Sequence, residues 1–120
     1  MNSESGILAH TEMDSPRRMG RYGVDLDLFS RTARTELRFD CPVDLFAIDE
    51  IGIISSWDTE AETLIEHALS SPIPAVVIVR KKGRGFAAEV RGRSDVEIRG
   101  VTLENRDQLV DDVVAWIRDQ

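Results

Sequence analysis

The segment Val43-Asp-Leu-Phe-Ala-Ile48 constrains the fold more than any other: a compact, mostly apolar run that stops at two adjacent acids, Asp49 and Glu50, with Gly52 close behind. Such a run is too short for a typical helix and has the composition of a strand buried on both faces, delivering its polar residues to one edge of a parallel sheet. A second run, Ala75-Val-Val-Ile-Val79, is introduced by Pro72 and Pro74. Between the two, Ala61, Leu64, Ile65, Ala68 and Leu69 recur at three- and four-residue spacing, and Thr59 with Glu62 makes a capping-box pattern ahead of them. Strand, crossover helix and strand in that order predict a mainly parallel α/β sheet.

The flanking segments extend this pattern. Gly6-Ile-Leu-Ala9 and the polar stretch with Pro16, Arg17 and Arg18 suggest a loop or hairpin, and Asp25 ahead of Leu28 and Phe29 suits a helix within Val24 to Ala33. Phe86 to Arg91 has room for one or two helical turns, and Val96-Glu-Ile-Arg-Gly-Val101 alternates as a strand. Asn105 with Gln108 repeats the capping pattern before a stripe of Leu109, Val110, Val113, Val114, Trp116 and Ile117.

With 120 residues and a hydrophobic content of 42%, the chain has material for one core and one domain. Its 22 acidic against 15 basic residues give a net charge of -7, a field that repels phosphate backbones and anionic lipid, so neither nucleic acid nor membrane is an expected partner. A single cysteine, Cys41, excludes an intrachain disulfide and a multi-cysteine zinc site, and its place beside an apolar run suggests a buried thiol. No apolar run approaches the ~18 residues of a membrane span, and Met1-Asn-Ser-Glu-Ser lacks the basic and apolar regions of a signal peptide; a cytoplasmic protein is expected. His10 and His67 have no companion at metal-ligand spacing, and Ser55 and Ser56 have no nearby base, so a loop leading into the helix, with Trp57 as a packing anchor, accounts for them.

Taken alone, the Asp49-Glu50 pair has two readings: solvated acids at a strand end, or the carboxylates that a triphosphatase sets beside its nucleotide, one for the magnesium shell and one for the attacking water. Asp25 and Asp27 have a similar choice between capping or solvation and a share in a metal site with Asp49.

Val43 to Gly52 resembles the Walker B segment of the cancer-related nucleoside-triphosphatase family of small P-loop proteins, and other segments fall in the same order. Gly6 to Ala9 and Gly20-Arg-Tyr-Gly-Val-Asp-Leu-Asp-Leu-Phe29 are similar to the stretch on the N-terminal side of Walker B in that family. Ile73 to Val79, Arg80 to Asp95 and Val101-Thr-Leu-Glu-Asn-Arg-Asp107 are similar to the stretch on its C-terminal side. The resemblance implies a RecA-like P-loop sheet with flanking helices and magnesium-dependent hydrolysis of nucleoside triphosphates. It implies Asp49 as the metal residue, Glu50 as the catalytic residue, and Asn105 and Arg106 near the nucleotide, although helix cap and first-turn surface residue describe that last pair equally well.

Two departures from the family stand out. No Gly-x-x-x-x-Gly-Lys-Ser/Thr occurs; Lys81-Lys-Gly-Arg-Gly85 has the wrong order and spacing, which leaves it a solvated basic turn, or a phosphate contact through Arg80 or Arg84. Residues 1–120 are accordingly expected to form one truncated domain, the C-terminal two-thirds of the family pattern without its first strand, P-loop and adjoining helix. A misplaced start, a decayed gene, or a shortened protein that repacks or pairs with another chain would each explain this. Just past Glu50, Ile53, Ile54 and Ser55 stand where the family usually has a lysine, a methionine and another acid, which removes charge near the site. The expected function is that of a nucleoside-triphosphatase relative whose hydrolysis is lost or impaired. The alternative is a non-enzymatic interaction module, or a subunit completed by a homo-oligomeric or complementing chain.

Overall fold

In a computed structural model the structure describes residues 6–120, so the polar start Met1-Asn-Ser-Glu-Ser lies outside the described residues. Two small sheets and four helices succeed one another along the chain. Strands β1 (Ala9–His10), β2 (Arg18–Met19) and β3 (Tyr22–Val24) form an antiparallel sheet in the order β1-β3-β2. Val24 ends β3 fully buried, and helix α1 (Leu26–Glu36) begins at once because the Asp25 carboxylate accepts a hydrogen bond from Leu28 N–H at 2.9 Å. Asp25 is thus a cap, the simpler of its two readings.

The second sheet pairs β4 (Phe46–Ile51) with β5 (Ala75–Val79) in parallel, joined by a short 3₁₀ turn (Ser55–Trp57) and helix α2 (Thr59–Ser70). The crossover predicted from sequence is present, with three corrections. The strand starts at Phe46 rather than Val43 and runs on through both acids to Ile51, which is fully buried. The cap of α2 is Asp58, whose carboxylate accepts from Ala61 N–H at 3.1 Å, rather than Thr59. The parallel sheet has two strands only, since Val96–Val101 has no ladder partner among the described residues and is not a strand.

Helix α3 (Phe86–Arg91) and helix α4 (Arg106–Arg118) complete the chain. The core gathers Leu37, Phe46, Ile51, Ile65, Ala68, Phe86, Ala87 and Val90, so that α2 and α3 pack around β4 and β5. No residue of α4 is buried: its stripe has helical spacing, but Val110 is 61% and Trp116 42% exposed. Polar ties connect the N-terminal sheet and α1 to the rest of the chain. Ser30 Oγ donates to the Asp58 carboxylate, Arg34 pairs with Glu60 at 3.3 Å, and the Arg17 guanidinium lies 5.4 Å above the Trp57 ring. Cys41 is half-buried rather than buried, with its Sγ accepting from Arg38 at 3.0 Å.

Candidate functional site

Asp49 and Glu50 sit near the C-terminal end of β4, on the edge of a parallel sheet where open α/β folds place their ligands. In a regular strand adjacent side chains leave opposite faces. Here the ladder pairs Asp49 with Ile78 and Ile51 with Val79, so Glu50 is an extra residue in a bulge. Both carboxylates are exposed, and both line one cavity of about 210 Å³.

The far wall of that cavity is apolar, from Leu8, Met19 and Phe29, and its floor is the turn Gly52-Ile53-Ile54. That turn is held from beneath by Ser55, which is 1% exposed. Its Oγ accepts from Gly52 N–H and donates to Gly52 C=O, both at 3.0 Å. A glycine at 52 also leaves room for Glu50, because a Cβ there would stand 3.0 Å from Glu50 Oε1.

Arg80 also lines this cavity, and its guanidinium lies against Gly83, where an added Cβ would stand 3.5 Å from Nη1. It comes directly after β5, and its N–H donates to Ile51 C=O at 2.9 Å, which extends the pairing of the two strands by one residue. Among the described residues its guanidinium makes no ion pair. The loop beyond it is braced by Arg91 of α3, which donates to Arg80 C=O at 2.6 Å and Gly83 C=O at 2.7 Å. Gly83 and Gly85 take positive φ there, 102° and 77°, which an L side chain disfavours. Arg84 is exposed and does not line the cavity.

Asn105 and Arg106 lie elsewhere. Asn105 Oδ1 accepts from Thr102 N–H at 2.7 Å and its Nδ2 donates to Gly100 C=O at 2.8 Å, so it knots the turn before α4 and makes no side-chain cap bond to that helix. Arg106 is the exposed first residue of α4, and neither residue lines the cavity that holds Asp49 and Glu50. Sequence reasoning missed Ser55 as an organiser of the site. The available signal was its spacing from Gly52, the three residues a hydroxyl needs to close on a backbone turn.

Among the described residues no three His, Cys, Asp or Glu side chains converge as a metal cage, and Asp25 and Asp27 do not join Asp49. One or two carboxylates with open space beside them nevertheless fit magnesium, which keeps most of its waters and completes its shell with phosphate oxygens. Two exposed carboxylates lining one cavity can therefore hold a hydrated cation whose remaining waters stay open to exchange for phosphate oxygens. No helix among the described residues is long and apolar enough to cross a membrane.

A mixed α/β chain with a parallel strand pair and carboxylates at its C-terminal edge fits the P-loop class of α/β proteins. A family model described as NTPase matches residues 1–114, and the chain belongs to that family. The nucleoside-triphosphatase THEP1 of Thermotoga sp. (strain RQ2) is 30% identical over 119 residues, covering 98% of this chain and 68% of the relative. THEP1 of Methanosarcina acetivorans is 32% identical over 106 residues, 88% of this chain and 59% of the relative. The human cancer-related nucleoside-triphosphatase is 31% identical over 110 residues, 84% of this chain and 58% of the relative. No solved structure matches the chain.

Proposed function

We propose that residues 1–120 form a single RecA-like P-loop domain of truncated type, descended from a nucleoside triphosphatase and, by themselves, inactive or severely impaired in hydrolysis. The observation that carries this is the cavity joining Asp49, Glu50 and Arg80, set against a sequence with no phosphate-cradling glycine loop and no lysine for the terminal phosphates. In this reading Asp49 would hold magnesium through its water shell, Glu50 would orient or deprotonate the attacking water, and Arg80 would supply a contact to a phosphate oxygen. Bound magnesium would supply neutralisation of the charge spread over the phosphate oxygens. Asn105 and Arg106 would approach the nucleotide only from the turn before α4, outside the carboxylate cavity. A cytoplasmic location belongs to the same proposal, motivated by the single free cysteine.

Magnesium-dependent phosphate release by the purified 120-residue chain, with each common nucleoside triphosphate in turn, tests this directly. Release at background is expected. Release well above background that Glu50→Ala abolishes would sink the proposal.

A further inference from the structure

Helix α4 has two different sides. Leu109, Asp112, Trp116 and Gln120 line a cavity of about 890 Å³ that they share with β5, and Asp112 accepts from Gln108 and lies 3.9 Å from Arg99. That side belongs to the body of the molecule. On the other side Asp107, Val110, Val114 and Arg118 are all exposed, and none of them lines the cavity. Their spacing of three, four and four residues puts them in one stripe along the helix. Among the described residues Asp107 and Arg118 make no ion pair. Val101 and Leu103, also exposed, stand immediately ahead of the helix and add apolar surface at its N-terminal end.

The stripe reads acid, valine, valine, base, and it is nearly symmetric about its midpoint except that the charge is inverted. Turned end over end, such a stripe meets its own complement. Each charge also suits its own helix end, negative at the N-terminus and positive at the C-terminus. What makes the stripe self-complementary is that both charges share a face with the two valines. We infer that α4 is the contact of a weak, two-fold antiparallel dimer of this chain, with Val110 against the partner's Val114 and Asp107 beside the partner's Arg118, each contact made twice. Charges flanking an apolar helix seam set the orientation of a pair, and only the antiparallel one brings each charge to its opposite. An anionic membrane surface suits this face less well, because Asp107 borders the valines and the chain carries a net charge of -7. A helix of 13 residues is about 20 Å long, so a contact made along it falls below the ~1,200 Å² of a stable interface. The dimer is therefore one that forms with rising concentration.

The inference does not depend on the triphosphatase proposal, and its readout is the mass of the 120-residue chain in solution. Sedimentation equilibrium at low ionic strength, from roughly 10 μM to 1 mM, is expected to show the mass climbing from monomer toward dimer. Asp107→Arg alone, or Arg118→Asp alone, sets like charges together at both ends of the seam and should weaken the dimer roughly tenfold. An equimolar mixture of those two variants restores opposite charges at both ends, and is expected to associate as the unchanged chain does. Recovery in the mixture also shows that both variants are folded. Val110→Glu, at an exposed position, should weaken association by roughly tenfold or more. A chain that stays monomeric at the highest concentration overturns the inference. So does a dimer that Val110→Glu leaves unchanged, or one that the single charge changes weaken and their mixture fails to restore.

Discussion

Replacing Ser55 by alanine tests whether the turn beneath the carboxylates is as dependent on one hydroxyl as its geometry implies. Ser55 is 1% exposed, and its Oγ makes two hydrogen bonds of 3.0 Å, one accepted from and one donated to the backbone of buried Gly52. Each bond contributes about 1 kcal/mol net, and a buried Gly52 N–H left without a partner costs a further ~1–3 kcal/mol unless water enters. The sum is about 3–5 kcal/mol, a large share of the ~5–15 kcal/mol that stabilises a typical domain. Urea unfolding monitored by far-UV circular dichroism reads this out. With a slope of roughly 1–2 kcal/mol per molar, the midpoint should fall by about 1.5–5 M at unchanged slope. Ser56→Ala is the control: Ser56 is exposed and its hydroxyl bonds to Ile53 C=O, so its loss should stay within ~0.5 kcal/mol. If the two variants melt alike, the hydroxyl of Ser55 is not what holds the Gly52 turn.

Two further changes probe α2. The Glu62 carboxyl is held above its ordinary 4.5 first by burial and then by the charges of Glu89 and Asp58. The folded state therefore binds that proton more tightly than the unfolded chain, a contribution present below the ordinary value and lost as pH rises through the raised one. Glu62→Gln should accordingly raise the melting temperature slightly at neutral pH, with the gain fading by about pH 4; an equal gain at both would remove the titration from the explanation. Asp58→Ala removes the α2 cap and the acceptor of Ser30 Oγ, and should cost about 1–2 kcal/mol by urea titration. A cost below ~0.5 kcal/mol would show that Thr59 or solvent takes over the cap.

The pairing of β4, α2 and β5 was legible because each element is apolar over its own length and meets the core, Phe46 and Ile51 from β4, Ile65 and Ala68 from α2, with Ala75, Val77 and Val79 of β5 packed against them. The helical repeat Ala61, Ile65, Ala68 is the set that α2 buries. The limits of β4 were less legible. By composition the apolar run ends at its first acid, whereas the strand carries Asp49 and Glu50 on exposed positions and recovers its core contact at Ile51. Val96-Glu-Ile-Arg-Gly-Val101 has strand composition, but a strand needs a neighbour, and none of the described residues provides one. The same holds for α4, whose stripe predicts burial that nothing in the described chain completes. Periodicity reports what a segment is suited to meet. It does not report whether the partner surface is present.

At the site, the placement of Asp49 and Glu50 at a sheet edge was readable from their run of apolar neighbours, and the family from the order of segments. Arg80 was one of two candidates for phosphate contact, and the cavity includes it and leaves Arg84 outside. The bulge that lets two adjacent carboxylates line one cavity depends on register with β5, which no local pattern in β4 encodes. Asn105 shows the opposite failure. Its sequence position matches a helix cap, yet its side chain is already committed to Gly100 and Thr102.

The polar ties between the N-terminal sheet with α1 and the remainder of the chain give the cavity a mechanical character. Leu8, Met19 and Phe29 form a jaw that belongs to one half, and Asp49, Glu50 and Arg80 a jaw that belongs to the other. The main apolar core begins only at Leu37, and Ser30 to Asp58, Arg34 to Glu60 and Arg17 on Trp57 are ties that cross from one half to the other. Dissolved salt screens the exposed Arg34–Glu60 pair far more than it affects a buried apolar seam. Added salt should therefore loosen one clasp between the two jaws while leaving the hydrogen bond from Ser30 to Asp58 in place.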